Sequence, residues 1–389
     1  MAIRAAANHP FVYQKMVIGP CGAAKPGLGD LVRVVDRDGQ FLGYGLWNPR
    51  SRISLRMLSR EADPPGPAFW SRRIDQAIAL RTEVLGLEKE TDAYRVLHAE
   101  GDGLSGLIVD RFSDVLSVEI FSLAMYQRIG PILELLAGRL GTRHYLVRVD
   151  ERVARQEDFP GRPLASPRLP KRVTIQEHGI RYRILLEEGH KTGFFCDQRD
   201  NRRELARFCE GQTVLDLCCY SAGFGLNAML RGGAAEVTCV DLDEKAVAQA
   251  RENANANNVR LSLVHADAFG YMRQMTINQR RYGVVVLDPP KLIADRKEVA
   301  AGKRKYFDLN RLAMGLVEPG GILLTCSCSG LLPADDFQAL LRAAAWNAGR
   351  TAQLLALTSA AADHPIALDA PEGAYLKAAW LRMGDPIGG

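Results

Sequence analysis

Four aspartates follow successive apolar segments in the second half of the chain: Asp216, Asp241, Asp267 and Asp288. If these segments form parallel strands of an open α/β sheet, their carboxyl ends line the edge where ligands bind. A carboxylate at that edge can accept hydrogen bonds from ribose hydroxyls or an amino group, and it attracts a positive charge. The spacing therefore predicts a site for a positively charged ligand that contains a nucleoside.

Small residues fill the loop that follows the first apolar segment, from Asp216 to Gly225. They would allow a ligand to approach the backbone where a helix begins. The loop lacks the G-x-G-x-x-G spacing of a dinucleotide phosphate site. We expect Asp216 to lie beside the charge of a sulfonium cofactor, with Tyr220, Gly223 and Gly225 also in the binding loop.

The next two aspartates suit the nucleoside part of such a cofactor. We predict that Asp241 accepts hydrogen bonds from both ribose hydroxyls, and that Asp267 accepts one from the adenine amino group. Each aspartate precedes a predicted helix, so an N-cap is the alternative role. The capping alternative is stronger for Asp243 than for Asp241.

Two cysteines, Cys326 and Cys328, follow the fifth predicted strand of this region. Carbon 5 of a pyrimidine is a poor nucleophile, but addition of a thiolate at carbon 6 makes carbon 5 reactive. A cysteine at this edge of the sheet would therefore have a chemical purpose. The alternative is a pair of small, buried strand-end residues without a reaction.

The fourth predicted strand leads into Asp288-Pro289-Pro290-Lys291. Two prolines fix the backbone, so Asp288 and its neighbours can be presented rigidly to a planar ring. Lys291 stands where enzymes that methylate exocyclic amines commonly have an aromatic residue, which argues against an amine as the target. Lys291 could contact a phosphate or a base carbonyl, or simply begin a helix.

Strands and helices alternate from residue 213 onward, which predicts a doubly wound, Rossmann-like α/β sheet of about seven strands. The first 60 residues suggest a small β-barrel, and an α+β segment follows. A proline-rich stretch from Phe159 to Arg172 predicts an exposed connection. We expect three domains, at 1–72, 73–170 and 171–389.

Positive charge is concentrated near the N-terminus, where residues 1–60 contain nine Lys and Arg against three Asp. We predict that Arg50, Arg52 and Arg56 contact RNA phosphates; a solvated basic surface is the alternative. No apolar run is long enough to span a membrane and no secretory signal is evident, so we expect a cytoplasmic protein. The cysteine spacings favour neither disulfides nor a metal site.

The chain resembles the bacterial family of 23S ribosomal RNA cytosine-5 methyltransferases that carry an N-terminal PUA domain. The resemblance extends over almost the whole sequence. Its most specific motifs run from Gly189 to Arg199, Asp288 to Lys291, Ser327 to Gly330 and Ala362 to Pro365; a further similar segment runs from Glu100 to Phe112.

This resemblance implies a class I methyltransferase domain that uses S-adenosyl-L-methionine, with Gln198 and Asp288 among the cofactor contacts. It implies that Cys328 is the nucleophile, assisted by Asp288 and Lys291, and leaves Cys326 as an alternative. It also implies a monomer or homodimer that forms 5-methylcytidine in 23S RNA. Four alternatives remain: a uridine-C5 enzyme, a methyltransferase for another rRNA position, an N-methyltransferase and a non-catalytic RNA-binding or ribosome assembly protein.

Overall fold

The computed structural model describes residues 1–3, 8–21, 25–186 and 193–386. Residues 189–192 of the first family motif lie outside this part of the chain. The structure divides into two compact units. The first comprises Met1–Ile175, Ile184–Cys196 and Ala362–Gly373, and the second comprises Gln176–Arg183, Asp197–Ala361 and Ala374–Gly389. The three-domain division stays a prediction.

The first unit begins with a six-stranded sheet in the order β2-β6-β5-β4-β1-β3. Its strands are β1 Ala2–Ile3, β2 Phe11–Val12, β3 Val17–Gly19, β4 Leu31–Val35, β5 Phe41–Trp47 and β6 Leu55–Ser59. Alternating apolar residues such as Val32 and Val34 form a small core with Leu55, because side chains one residue apart along a strand point to opposite faces. These strands lie in the segment for which the sequence predicted a small β-barrel.

A second sheet in this unit has the order β11-β10-β9-β8-β7. Its elements are α1 Pro67–Ala79, β7 Ala93–His98, β8 Leu107–Phe112, β9 Val115–Ile120, α2 Leu123–Leu140, β10 His144–Arg148, α3 Glu151–Glu157 and β11 Leu164–Ala165. The structure corrects one prediction, because β11 lies within the proline-rich stretch and pairs with β10. That stretch is therefore not wholly an irregular connection. A hairpin of β12 (Arg172–Glu177) and β13 (Ile180–Leu185) follows.

A buried ion pair and two hydrogen bonds join separate parts of the first unit. Arg81 has no exposed side-chain surface and binds both carboxylate oxygens of Asp102, at 2.5 and 2.9 Å. Its guanidinium also donates to the carbonyl oxygen of Asp363 at 2.7 Å. The Asp363 carboxylate accepts a hydrogen bond from the backbone of Arg95 at 2.8 Å. The segment Ala362–Gly373 is thus bound within this unit by polar contacts.

The second unit contains a seven-stranded sheet in the order β16-β15-β14-β17-β18-β20-β19. Its elements are α4 Arg199–Leu205, β14 Thr213–Leu217, α5 Gly223–Leu230, β15 Glu236–Asp241, α6 Glu244–Ala256, β16 Ser262–His265, α7 Ala268–Ile277, β17 Tyr282–Leu287, α8 Val299–Leu316, β18 Val317–Ser327, α9 Ala334–Asn347, β19 Arg350–Thr358 and β20 Lys377–Pro386. Strand β20 runs antiparallel to both of its neighbours, β18 and β19, and the other described pairs of this sheet are parallel. The predicted doubly wound sheet of about seven strands is confirmed.

The central strands are buried on both faces, since every residue of β17 is buried. Parallel strands covered by helices on both sides are typically continuous apolar runs of this kind. Strand order reverses between β14 and β17, and these two strands are neighbours. Ligands bind at such a reversal point. None of the described helices is long and apolar enough to cross a membrane.

Candidate active site

The carboxyl ends of β14 and β17 lie side by side and begin the candidate site. Leu217 pairs with Leu287 in the parallel register. The backbone amide of Asp288 donates to the carbonyl oxygen of Leu217 at 3.3 Å, so the Asp288-Pro289-Pro290 turn is tied to the loop after β14. The sheet therefore brings together two segments that are about 70 residues apart in sequence.

Asp216 is completely buried near the end of β14. Its Oδ2 accepts a hydrogen bond from the backbone amide of Gly225 at 2.9 Å, whereas Oδ1 has no hydrogen-bond partner among the described residues. Burial, together with the charges of Asp288 and Asp241, raises the pKa of this carboxyl to about 8, and the hydrogen bond from Gly225 opposes that shift. A cation placed beside Asp216 would favour its ionised form.

The loop between β14 and α5 is held in an unusual backbone conformation. Cys218, Tyr220 and Ala222 all have positive φ, at 59°, 47° and 61°. Such conformations cost free energy in residues other than glycine and occur preferentially at functional sites. The backbone amide of Tyr220 donates to Oδ2 of Asp241 at 2.8 Å, which fixes the loop against the end of β15.

Gly225 is required by packing beneath this loop. A Cβ atom at this position would lie 2.4 Å from Sγ of Cys239 in β15. The same glycine supplies the amide that binds Asp216. Gly223 begins α5, where an added Cβ would lie 2.9 Å from the Cδ atom of Arg202. Both glycines thus shape the predicted binding loop, through protein packing.

The other aspartates after β15 and β16 differ in their local roles. Asp241 accepts a second backbone hydrogen bond, from the amide of Asp243 to Oδ1 at 2.9 Å. Asp243 is the N-cap of α6 and Asp267 is the N-cap of α7, through hydrogen bonds from Lys245 and Gly270. A carboxylate has about four acceptor positions, so Asp241 and Asp267 retain capacity for a ligand.

A chain of buried polar side chains fixes the orientation of Asp288. Gln198 donates from Nε2 to Oδ2 of Asp288 at 3.0 Å, and its Oε1 accepts from Asn201 at 2.6 Å. The hydroxyl of Thr358 donates a hydrogen bond to Oδ1 of Asn201 at 2.7 Å. The same hydroxyl accepts a hydrogen bond from the indole of Trp380 at 3.0 Å. The sequence alone indicated Gln198 but not the three residues that orient it.

The two cysteines have different surroundings. Cys326 is fully buried within β18, and burial together with the nearby Asp288 raises the pKa of its thiol well above the usual value. Cys328 lies just beyond the end of β18 and is partly exposed. A reacting thiol needs access to its substrate and a stable thiolate, so the geometry favours Cys328. Lys291 is exposed after the Asp288-Pro289-Pro290 turn.

Lys377 also belongs to this end of the sheet, and the sequence analysis did not single it out. Its backbone pairs with Ser327 across β18 and β20, and it is only 6% exposed. A lysine directly before the apolar run 378–381 was the signal that could have identified it, because lysine is rarely buried without a specific role.

The three arginines predicted to contact RNA are not equivalent. Arg52 is exposed, whereas Arg50 is exposed but paired with Asp158. Arg56 is buried and forms an ion pair with Glu157 at 3.3 Å. The prediction for Arg56 is therefore corrected: its guanidinium is used inside the first unit, where it also donates to the Phe121 carbonyl oxygen at 3.1 Å.

Taken together, the second unit provides a set of groups that fits a sulfonium nucleoside. Asp216 offers a buried acceptor atom without a partner among the described residues, and Asp241 lies at the next strand end with its carboxylate held by the binding loop. The chain belongs to the S-adenosylmethionine-dependent methyltransferase family, whose profile matches residues 148–381. A PUA-like domain matches residues 2–60, which confirms the predicted N-terminal module.

Similar proteins with curated names extend over nearly the full chain. Ribosomal RNA large subunit methyltransferase I of Shewanella amazonensis is 38% identical over 387 residues, covering 97% of this chain and 96% of the relative. The protein of the same name from Tolumonas auensis is 37% identical over 382 residues, covering 96% of this chain and 95% of the relative.

Solved structures share the fold at lower identity. SMU.776, a candidate methyltransferase solved in complex with SAH, has a TM-score of 0.81 and 21% identity, covering 96% of this chain and 95% of its own. A candidate SAM-dependent methyltransferase from Streptococcus mutans also has a TM-score of 0.81, at 19% identity and with coverage of 98% and 100%. This protein is thus an S-adenosylmethionine-dependent methyltransferase with a PUA-like domain.

Proposed function

We propose that this enzyme forms 5-methylcytidine in 23S ribosomal RNA, with Cys328 as its nucleophile. The observation that carries the proposal is the partly exposed Cys328 just beyond the end of β18, the strand that pairs with β17, which leads into Asp288. The names of the relatives, which refer to the large ribosomal subunit, support an rRNA substrate.

The chemistry begins with a cytidine taken out of its stack, as enzymes that act on ring atoms require. The sulfur lone pair of the Cys328 thiolate forms a bond to carbon 6, and the π electrons of the C5=C6 bond move into the ring. Asp288, oriented by Gln198, holds the N3 edge or the amino group and favours its protonated form. Carbon 5 thereby becomes a nucleophile.

S-Adenosyl-L-methionine, when bound, supplies an electrophilic methyl group. Asp216 would lie beside its positive charge, Asp241 would bind its ribose hydroxyls and Asp267 its adenine amino group. After carbon 5 is methylated, loss of the carbon-5 proton restores the C5=C6 bond and expels the thiolate of Cys328. Lys291 contacts a phosphate or a base carbonyl of the RNA, and Arg52 anchors the RNA backbone in the PUA-like domain.

The test is transfer of labelled methyl groups to undermethylated large-subunit RNA, with the product nucleoside identified by mass spectrometry. We expect 5-methylcytidine from the wild type and from Cys326→Ala, and at least a thousandfold loss with Cys328→Ala. Cys326→Ala is a matched control, because it removes the neighbouring thiol from the same strand end.

Other outcomes would select the alternatives. A 5-methyluridine product would indicate a uridine enzyme, and a methyl group mapped outside 23S RNA would indicate a different rRNA substrate. An N-methylated product, or full activity in both cysteine variants, would eliminate the covalent mechanism. RNA binding without cofactor binding would indicate a non-catalytic assembly protein.

A homodimer is a further part of this proposal. Strand β19 is an edge of the seven-stranded sheet, and its Leu354, Leu355 and Leu357 are exposed. An exposed edge with apolar side chains is a template for pairing with another strand. Antiparallel pairing of two β19 strands around a twofold axis would cover it.

A further inference from the structure

Lys377 is placed so that its side chain reaches the chain on the far side of Cys328. The residue begins β20 and pairs with Ser327, which directly precedes Cys328. Its Nζ donates to the carbonyl oxygen of Ser329, directly after Cys328, at 2.7 Å, and to that of Tyr375 at 2.8 Å. The backbone of Lys377 therefore pairs with the residue before the cysteine, and its ammonium group binds the residue after it.

This ammonium group is buried without a carboxylate partner. Lys377 is 6% exposed, and across the described ranges it forms no ion pair within 4.0 Å. Two carbonyl oxygens accept hydrogen bonds from two of its three N–H groups. Carbonyl dipoles compensate a buried charge less well than an anion does. A lysine that served only to fasten two carbonyls would not need its charge, since a neutral donor could do the same.

We propose that Lys377 is a positioning residue that holds Cys328 as a thiolate. The proposal rests on the proposed function, in which Cys328 is the nucleophile. The Cys328 thiol releases its Sγ proton to solvent, and the positive charge of the Lys377 ammonium group stabilises the resulting thiolate. The thiolate lone pair then forms the bond to carbon 6 while Nζ keeps its proton. When the S–C6 bond breaks, its electron pair returns to sulfur and the same ion pair is restored.

Several other charged and titratable groups among the described residues act on this pair. Burial and the charge of Lys291 lower the pKa of Lys377 to about 8, and the charge of Cys328 opposes that shift. Tyr306 of α8 faces Cys328 and has a pKa raised by burial. Cys326 lies in β18, and the charges of Asp288 and Asp197 contribute to the raised pKa of its thiol. A lysine with a pKa near 8 is largely protonated at neutral pH and can stabilise a nearby thiolate by its charge.

The experiment measures how fast iodoacetamide alkylates Cys328 in the full-length protein, without RNA, between pH 5.5 and pH 10. Tandem mass spectrometry assigns the modification to Cys328 rather than Cys326. The wild type is compared with Lys377→Gln, which keeps a hydrogen-bond donor and removes the charge, and with Lys377→Met. Lys303→Met, which removes an exposed lysine paired with Asp336, is the matched control.

We expect wild-type Cys328 to react with an apparent pKa below about 8.5, the ordinary value for a cysteine. Both Lys377 variants should raise that pKa by about one unit, which lowers the alkylation rate at pH 7 about tenfold. The Lys303 variant should match the wild type. An unchanged profile in Lys377→Gln would overturn the proposal and leave Lys377 as a fastener of two carbonyls.

If both Lys377 variants fail to fold, the wild type alone still decides, because an apparent pKa of 9 or higher for Cys328 contradicts a stabilised thiolate. The alkylation assay does not depend on methyl transfer. Continued methylation by Cys328→Ala would contradict the proposed function. An alkylation profile that does not depend on Lys377 would contradict only the present inference.

Discussion

The carboxyl of Asp216 is neutral over much of the physiological pH range when no cation lies beside it. Its pKa of about 8 follows first from burial and then from the charges of Asp288 and Asp241. The folded protein therefore binds a proton that the unfolded chain releases near pH 4. This group makes the free energy of unfolding of the cofactor-free protein decrease as the pH rises from about 4 to about 8.

The same carboxyl should give cofactor binding a characteristic pH dependence. A sulfonium beside Asp216 favours its ionised form, so binding is coupled to release of a proton below about pH 8. S-Adenosylhomocysteine lacks the sulfonium charge but shares the amino and carboxylate groups. We expect the ratio of its dissociation constant to that of S-adenosylmethionine to rise with pH until about pH 8.

Titration calorimetry of both ligands from pH 6 to pH 9 measures that ratio. Asp216→Asn should make it independent of pH, because the amide carries no charge at any of these values. A constant ratio in the wild type would show that Asp216 does not lie beside the sulfonium.

Helix α4 contains Asn201, which orients Gln198 and through it Asp288, and the helix is itself anchored by a buried ion pair. Arg202 binds both oxygens of Glu177, through Nε at 2.8 Å and Nη2 at 2.7 Å. Both side chains are at most 4% exposed. A buried pair of this kind depends on both partners, because removing one leaves the other charge uncompensated.

We therefore expect Arg202→Met to lower the free energy of unfolding by about 3–5 kcal/mol. Arg203→Met, on the same helix but at an exposed pair with Asp200, should change it by less than about 1 kcal/mol. Urea denaturation followed by circular dichroism measures both. Equal effects of the two substitutions would mean that α4 is not anchored through Glu177.

Much of the sheet could be predicted from the sequence, because β17 and its neighbours are apolar runs separated by helical spacing. Helix α4 could not, since Arg199 and Arg202 are charged yet buried. Arg56 was misassigned for a related reason. Its alternation with apolar residues is typical of an exposed face, but its partner Glu157 lies 101 residues away in sequence. Long-range charge pairs leave no local pattern.

The N-terminal arginines should differ in how much they contribute to the affinity of the whole protein for RNA. Arg52 is exposed, so Arg52→Gln should weaken RNA binding and reduce the slope of log affinity against log salt by about one. Arg56→Gln should instead destabilise the protein, because Glu157 would lose its partner. Fluorescence anisotropy at several salt concentrations, with thermal unfolding alongside, tests both. An Arg52→Gln slope equal to that of the wild type would remove Arg52 from the interface.

The edge strand β19 leads to a prediction about assembly. Replacing the exposed Leu355 with lysine places a charge on the strand that would pair across the dimer. Sedimentation velocity should show a dimer for the wild type and a monomer for Leu355→Lys. Leu368→Lys is the matched control, since Leu368 is 99% exposed and lies outside the sheet. A monomeric wild type would exclude the proposed pairing.

Because Asp363 binds Arg81 and Arg95, the first unit can complete its hydrogen bonds only late in synthesis of the chain. The N-terminal part of a growing chain emerges from the ribosome first. Arg81 and the amide of Arg95 are made early, but both donate hydrogen bonds to Asp363. A nascent chain therefore carries these donors without one of their acceptors until almost all of it has emerged. A chain that stops before residue 363 keeps that defect permanently, so the first unit is complete only after Asp363 has been made.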